Sequence, residues 1–438
     1  VYLRARYLPE AMATIRPFRG LRFDATAGPL SELVAPPYDV LSPDEREAYA
    51  AKSPRNIVHL TLPEQLPGDR SQFVKYARSA ARLEEWRRDG SLKLDDRPAF
   101  YRYTQSFKTP GSDAPFERTT LIVLLKVEPY DKGVVLPHEQ TFPKHKEDRL
   151  RVLEATRSHL ECIFGLYEDD DRTIHGLVTG APGEPAAPPF TTQEDGIAHR
   201  LDAIADPDAV KPIVERLAPK RLWIADGHHR YETALKFREA QGEHDGLIAE
   251  DFMMMAVTSM NDPGLVLLPT HRILKRMPVD AAELRRRMGA AFVLEDCPNS
   301  GLAGRIARVA AEGKKALGVA LPGGTGFVAH LADPGQASGL TPGPGSDLLK
   351  SLDVSVLHGY VFERLLGLSG LDFFGYTRVE EEAVRAVEDG APASFLMNPP
   401  TVDEMRRIAL GGEKMPQKST YYYPKLLSGL VLWSLRDF

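Results

Sequence analysis

The chain of 438 residues has only two cysteines, Cys162 and Cys297. They lack CxxC spacing, so a zinc ribbon or a disulfide scaffold is excluded and two reduced thiols are the plain reading. No apolar run is long enough to cross a bilayer. The opening Val1-Tyr2-Leu3-Arg4-Ala5-Arg6-Tyr7 has neither the apolar core nor the cleavage site of a secretory signal. A basic surplus is missing as well: the formal charge is −6, which argues against a general binder of nucleic-acid backbones. The glycine-rich phosphate loop ending in Gly-Lys-Ser/Thr, the HExxH zinc helix and the GxSxG elbow are all absent. What remains is a soluble, cytoplasmic, mixed α/β protein. A small-molecule substrate is expected, with no nucleic acid and no membrane as partners, and the oligomeric state is left open.

The length exceeds what one hydrophobic core normally serves, so two or three packed lobes are expected. Met12 begins an orderly stretch, and residues 1–11 read as a dispensable extension. Ala35-Pro36-Pro37-Tyr38-Asp39-Val40 is held extended by its prolines. Ser42 with Glu45 forms a capping box, with Pro43 at the first helical position. Phe73, Tyr76, Ala80, Leu83 and Trp86 recur at helical spacing up to Gly90. Two β-rich runs, Phe100–Phe107 and Arg118–Val127, flank a Pro110-Gly111 turn and predict a hairpin. A helix is expected over Asp148–Leu160 and a surface loop over Gly180–Thr192. Beyond these come a buried strand Leu222–Ala225, a helix Arg230–Glu239 and strands Met253–Val257 and Leu265–Leu268. Asp333–Asp347 reads as a flexible linker. A helix over Val354–Leu366, a strand Ser394–Met397 and a helix capped by Thr401 and Glu404 follow.

The strongest chemical signal is Asp226-Gly227-His228-His229-Arg230. An apolar strand ends, glycine turns the chain and a helix begins. The first helical turn offers free N–H groups and partial positive charge, a ready anion site. Gly227 permits close backbone approach, and Arg230 adds bidentate phosphate contacts. Asp226 is a candidate to orient a histidine or hold a metal. The structural alternative makes Asp226 a helix cap and the histidines solvated. A second signal, Leu136-Pro137-His138-Glu139, precedes Lys144, His145, Lys146, Asp148 and Arg149. Glu139 reads as a general base and the cations as phosphate partners, against a merely solvated loop. A third, Met415-Pro416-Gln417-Lys418-Ser419-Thr420-Tyr421-Tyr422-Tyr423-Pro424-Lys425, reads as phosphate contacts from its clustered Lys, Ser and Thr or as a strand with an aromatic ladder. Pro269-Thr270-His271-Arg272 is a further candidate for site lining.

Several of these stretches together resemble a known family. Ile15-Arg16-Pro17-Phe18-Arg19-Gly20, Ala35-Pro36-Pro37-Tyr38-Asp39-Val40, Leu136-Pro137-His138-Glu139, Ala225–Glu232 and Gln417-Lys418-Ser419-Thr420-Tyr421 are similar to the uncharacterised "domain of unknown function 1015" family, from about Ile15 to the C-terminus. A subset also resembles the free serine kinases of the ParB/sulfiredoxin superfamily. That resemblance implies an α+β, nucleotide-binding core with Glu139 as base on a serine hydroxyl. The turn Asp226, Gly227, His228, His229 and Arg230 would then handle nucleotide phosphate. The two motifs lie much farther apart here than in the compact kinases, so residues of about 168–220 would be an insertion.

The expectation is therefore a phosphotransferase moving a phosphoryl group from ATP or ADP, with Mg²⁺, to a small hydroxylated metabolite, free L-serine first. Glu139, His138, Asp226 and His229 are its catalytic candidates. Gly227, His228, Arg230, Lys144, Lys146, Arg149, Lys418, Ser419 and Thr420 are the nucleotide contacts, and Asp226 is the metal ligand. The expected segments are 1–11, an N-terminal lobe 12–135, the kinase-like core 136–275, an α/β segment 276–348 and a C-terminal segment 349–438. The alternatives are a non-catalytic ParB-like nucleotide or partner binder, and a His/Asp metal hydrolase.

Overall fold

The computed structural model describes residues 12–438, apart from residues 142, 332 and 371 and apart from the side chains of 143–145 and 334. The expected extension, 1–11, lies outside the described residues. The fold is mixed α+β and divides into two compact units. Among the described residues the first comprises residues 12–137, 141–265 and 424–438, and the second 138–140 and 266–423.

The first unit is organised by a ten-stranded mixed sheet. Its main path runs Phe190–Thr191, Ala198–Ile204, Phe100–Lys108, Pro115–Lys126, Phe252–Ser259, Ile163–Tyr167, Leu222–Asp226 and Val135–Leu136. Phe100–Lys108 and Pro115–Lys126 form the expected hairpin, antiparallel along their length. Phe252–Ser259 is buried at every position, which explains why it shows an unbroken apolar run rather than alternation. Residues 168–220, expected as an insertion, supply the helices Thr173–Gly180 and Pro207–Leu217 and the strand Ala198–Ile204. That strand pairs with all of Phe100–Ser106. Ile163, Leu222, Ile224, Met253, Met255 and Tyr231 share one core cluster, so the helix after the Asp226 turn is seated on the sheet.

Several expected boundaries move. The helix of the second signal runs Pro143–Thr156, and Leu160 lies beyond it. Arg157 takes a left-handed φ of 49°, which stops the helix, and Ser158–His159 then pairs with Trp433–Ser434. Gly180–Thr192 is not all loop, because Glu184–Pro185 and Phe190–Thr191 add short strands at the sheet edge. In the second unit a six-stranded antiparallel sheet runs in the order Val293–Pro298, Thr325–His330, Ala316–Ala320, Ala393–Met397, His271–Leu274, Phe374–Thr377. The stretch read as a linker, 333–347, contains the helical turn Ala337–Leu340, with Ala337 fully buried. Its glycine and proline content marks turns between short helices, not a boundary.

Candidate active site

In the first unit the strand Leu222–Asp226 is buried through Ala225. Its pairing with Ile163–Tyr167 slips between Ile224 and Asp226. The extra residue is a bulge, which bends the strand end and re-aims Asp226. Gly227 follows at φ 93°, ψ 29°, where a Cβ would be strained. The helix spans His228–Glu239, so it begins two residues before the expected Arg230. His228 and His229 therefore sit in its first turn, one buried and one half-buried.

Arg230 has 10% side-chain exposure. Its Nη1 donates to the Cys162 carbonyl, its Nη2 lies 3.9 Å from Asp226 Oδ2, and its Nε has no hydrogen-bond partner. A Cβ placed on Gly227 would meet Arg230 Nε and Nη2 at 3.0 Å. The guanidinium is thus packed against the glycine turn. Five N–H donors serve one hydrogen bond, which leaves Arg230 with donor capacity for an incoming acceptor.

Arg149, from the second signal, lines the same cavity as Arg230, with Thr61, Ser158, His159 and Glu161. The cavity is about 50 Å³. That holds a few waters or one phosphoryl-sized group, not a nucleoside. The Ala35–Val40 loop closes over both arginines: Arg149 Cζ is 4.0 Å and Arg230 Cζ 6.0 Å from the Tyr38 ring centre. Glu161 anchors that loop, accepting the Tyr38 N–H and the Ser428 hydroxyl, each at 3.0 Å. It stands 3.8 Å from Arg149 Nη1. The guanidinium of Arg149 also donates to the Thr61 carbonyl at 2.6 Å and to Asp148.

The cluster is charge-balanced. Burial works against the Asp226 carboxylate, but Lys425 and Arg230 outweigh it and hold its pKa below the usual range. Burial likewise opposes the charge on Arg230, and Glu161, Asp39 and Asp226 more than offset it. Burial pushes the Cys162 thiol up to about 12, so it is no nucleophile at neutral pH. Burial lowers His159 to about 4.

In the second unit three weaker signals meet. Glu139 pairs with Met415 in a parallel bridge, and Met415 N donates to the His138 carbonyl at 2.7 Å. His138 is fully buried. Its Nε2 lies 2.9 Å from Thr420 Oγ1, which donates to Glu139 Oε1 at 3.2 Å. Arg272, also fully buried, donates to the carbonyls of Gln417 and Lys418 at 3.4 and 3.2 Å. The Ser419 hydroxyl donates to the Pro416 carbonyl and so serves its own turn. Lys418 is exposed, at a left-handed φ of 56°. His271 accepts the Met397 N–H through Nδ1 at 3.2 Å, and burial lowers it to about 4, which makes it a core histidine. Tyr422–Tyr423 pairs with Val266–Leu267, the structural reading of the tyrosine run.

Lys146 is engaged by Glu232 at 2.9 Å, on the helix that follows the glycine turn. The side chain of Lys144 lies outside the described residues. Tyr38, Glu161 and Ser428 are site residues that sequence reasoning misses, whereas Lys425 closes the third stretch and its Nζ is 3.2 Å from Asp226 Oδ2. The Pro-Pro-Tyr-Asp stretch was the one available signal. A resident metal does not fit here. Asp226, its candidate ligand, faces two cations, and among the described residues no group of three or more His, Cys, Asp or Glu side chains is arranged to hold one.

A family described as a protein of unknown function, DUF1015, matches residues 15–355. The chain belongs to this family. No curated protein matches it. Solved structures similar to this DUF1015 chain include a free serine kinase variant in complex with ADP. They share 14% identity over 72% of this chain and 92% of that one, with a TM-score of 0.36. A conserved hypothetical protein from Pyrococcus furiosus gives 15% identity, 72% and 97% coverage and a TM-score of 0.34. C-terminally truncated SbnI from Staphylococcus aureus gives 11%, 71% and 86%, and 0.34. Among the described residues no helix is long and apolar enough to cross a membrane.

Proposed function

We propose that the chain is a phosphotransferase that moves a phosphoryl group from a nucleotide to the hydroxyl of a small metabolite, with free L-serine the first candidate. The observation that carries this reading is Arg230. It is a nine-tenths buried guanidinium with an unpartnered Nε, packed against a glycine turn at the N-terminus of a twelve-residue helix. Backbone N–H groups and a preorganised guanidinium suit the spread charge of a transferring phosphoryl group, which needs positioning and neutralisation more than covalent chemistry. The 50 Å³ cavity takes the phosphoryl end of the donor and not its nucleoside. Glu161 and Asp226 balance the charge of Arg230 at rest, and the unpartnered Arg230 Nε is the donor open to a bound phosphate. Glu139 is the proton acceptor in this reading, its carboxylate held by Thr420. No step is assigned to Mg²⁺, for which the donor set does not fit.

The test is a phosphoryl-transfer screen of the pure protein against amino acids and polyols, with ATP, ADP and pyrophosphate as donors. Phosphoserine found by mass spectrometry from wild type is the expected result. Glu139→Gln should cut turnover by about 10²–10⁴ with donor affinity nearly unchanged. Nucleotide binding with no phosphorylated product from any acceptor would replace this reading with a non-catalytic binding protein. Equal product from wild type and Glu139→Gln would remove Glu139 as the base.

A further inference from the structure

Two chain segments far apart in sequence place one hydroxyl between an imidazole and a carboxylate. Thr420 Oγ1 is 2.9 Å from His138 Nε2 and 3.2 Å from Glu139 Oε1. A hydroxyl has one proton to give. If that proton points at Glu139, Nε2 must carry its own hydrogen and donate to Oγ1. The order Nε2–H to Oγ1–H to Oε1 is then the only one that satisfies both contacts with Glu139 ionised. The loop that carries Thr420 is pinned all along its length. Met415 N holds the His138 carbonyl, Ser419 closes its turn on Pro416, and Arg272 holds the Gln417 and Lys418 carbonyls. Arg378 lies 4.3 Å over the Tyr421 ring, and Leu268 N donates to the Tyr421 carbonyl at 2.9 Å. Lys418, at its left-handed φ, stores strain that this surrounding lattice of bonds sustains. Such a loop fixes its side chains to within the tolerance a reacting group needs.

We infer that Thr420 is a positioning residue, not a phosphate contact: with His138 as its donor, it orients Glu139 and keeps that carboxylate ready to accept a proton. Its hydroxyl fixes one Glu139 oxygen, which sets the direction in which the other addresses an acceptor. A hydrogen bond to the charged form of a carboxylate favours that form. The role of Thr420 rests on Glu139 being the base of the proposed transfer, so one arm of the test needs no turnover.

That arm is nitrogen NMR of ¹⁵N-histidine-labelled protein, with the His138 signal assigned by its loss in His138→Gln. The expected spectrum has a proton on Nε2 in wild type, a changed Nε2 signal in Thr420→Val, and the wild-type signal in Thr420→Ser. An unprotonated Nε2, or a signal indifferent to Thr420→Val, overturns the assignment whether or not the protein turns over. The second arm is the pH profile of product formation. Thr420→Val should lower kcat about ten- to hundredfold and move the acid limb to higher pH, with donor KM unchanged, and Thr420→Ser should restore both. A wild-type level of product across the whole pH range in Thr420→Val also overturns it. Absence of product from wild type, with the Nε2 proton in place, would sink the transfer reading and the base role that Thr420 serves, leaving only the proton order standing.

Discussion

Gly227→Ala tests whether the guanidinium of Arg230 leans on the turn. Two costs are separable. The backbone stands at φ 93°, and an alanine forced into the left-handed region costs about 1–2 kcal/mol. The new Cβ would also stand 3.0 Å from Arg230 Nε and Nη2 and 3.1 Å from its Cζ. That is tighter than ordinary van der Waals contact, so the guanidinium must give by a few tenths of an ångström. The shift strains its hydrogen bond to the Cys162 carbonyl, a bond worth about 1.5–3 kcal/mol in full for a charged donor. The sum is at most about 2.5–5 kcal/mol, read as the change in urea-unfolding free energy. A double-mutant cycle isolates the second part. In an Arg230→Ala background there is no guanidinium to displace, so Gly227→Ala should cost only the backbone strain. The coupling should be positive and no larger than about 1.5–3 kcal/mol, the full value of that bond. Equal costs in both backgrounds would show that Arg230 does not lie on the turn, and the argument for a phosphate cradle would go with it.

Arg230→Ala alone should weaken nucleotide or pyrophosphate binding by about 1.5–3 kcal/mol by calorimetry, with rate and donor affinity lost together; unchanged affinity in a folded variant counts against the cradle. Glu161→Gln removes a buried charge facing Arg149, with side chains 6% and 5% exposed, and should destabilise by roughly 3 kcal/mol in chemical denaturation. Lys425→Met leaves Asp226 with one cation fewer and should cost about 2 kcal/mol at pH 7. Because the folded pKa of Asp226 is depressed, its stabilisation is present above the unfolded value of about 3.9 and lost as pH falls through the folded value. The difference between wild type and Lys425→Met should therefore close in acid, and a difference constant down to pH 2 would refute the pairing. Asp353 runs the other way: burial raises it to about 6. A carboxyl whose folded pKa lies above its unfolded one loses stability as pH rises from about 3.9 to about 6. Asp353→Asn should thus raise stability on the order of 2 kcal/mol at pH 7.5 and give no gain below pH 4; no gain at either pH would refute it.

How much of this was legible in the sequence follows the range of the interactions. Ser42 with Glu45 and Thr401 with Glu404 are read correctly as capping boxes, because both partners lie within one helical turn. The hairpin is legible because its turn and its β-branched runs are adjacent. Leu160 is misassigned because apolar spacing continues past Thr156, while the backbone at Arg157 does not. Pairing with Trp433–Ser434, far along the chain, captures that segment instead, and no local pattern announces it. The bulge before Asp226 is invisible for the same reason: a register slip needs a partner strand to slip against.

The site shows the same limit at the level of chemistry. Asp226, Gly227 and Arg230 could be read together because five residues of chain hold all the geometry. Glu161 could not, since it sits among apolar neighbours and shows its purpose only when Tyr38, Ser428 and Arg149 surround it. Composition makes Thr420 a candidate phosphate contact, since a hydroxyl beside a lysine suits an anion. The partners its hydroxyl takes within the fold lie some 280 positions earlier, with separations of 282 and 281. A hydroxyl's role is set by where its single proton goes, and composition does not carry that information. The same reasoning explains why Ser419, one residue before, differs in kind: its proton goes to the Pro416 carbonyl three residues back, so it closes a turn. Adjacent, chemically similar side chains thus serve separate ends, and the hydrogen-bond direction alone separates them.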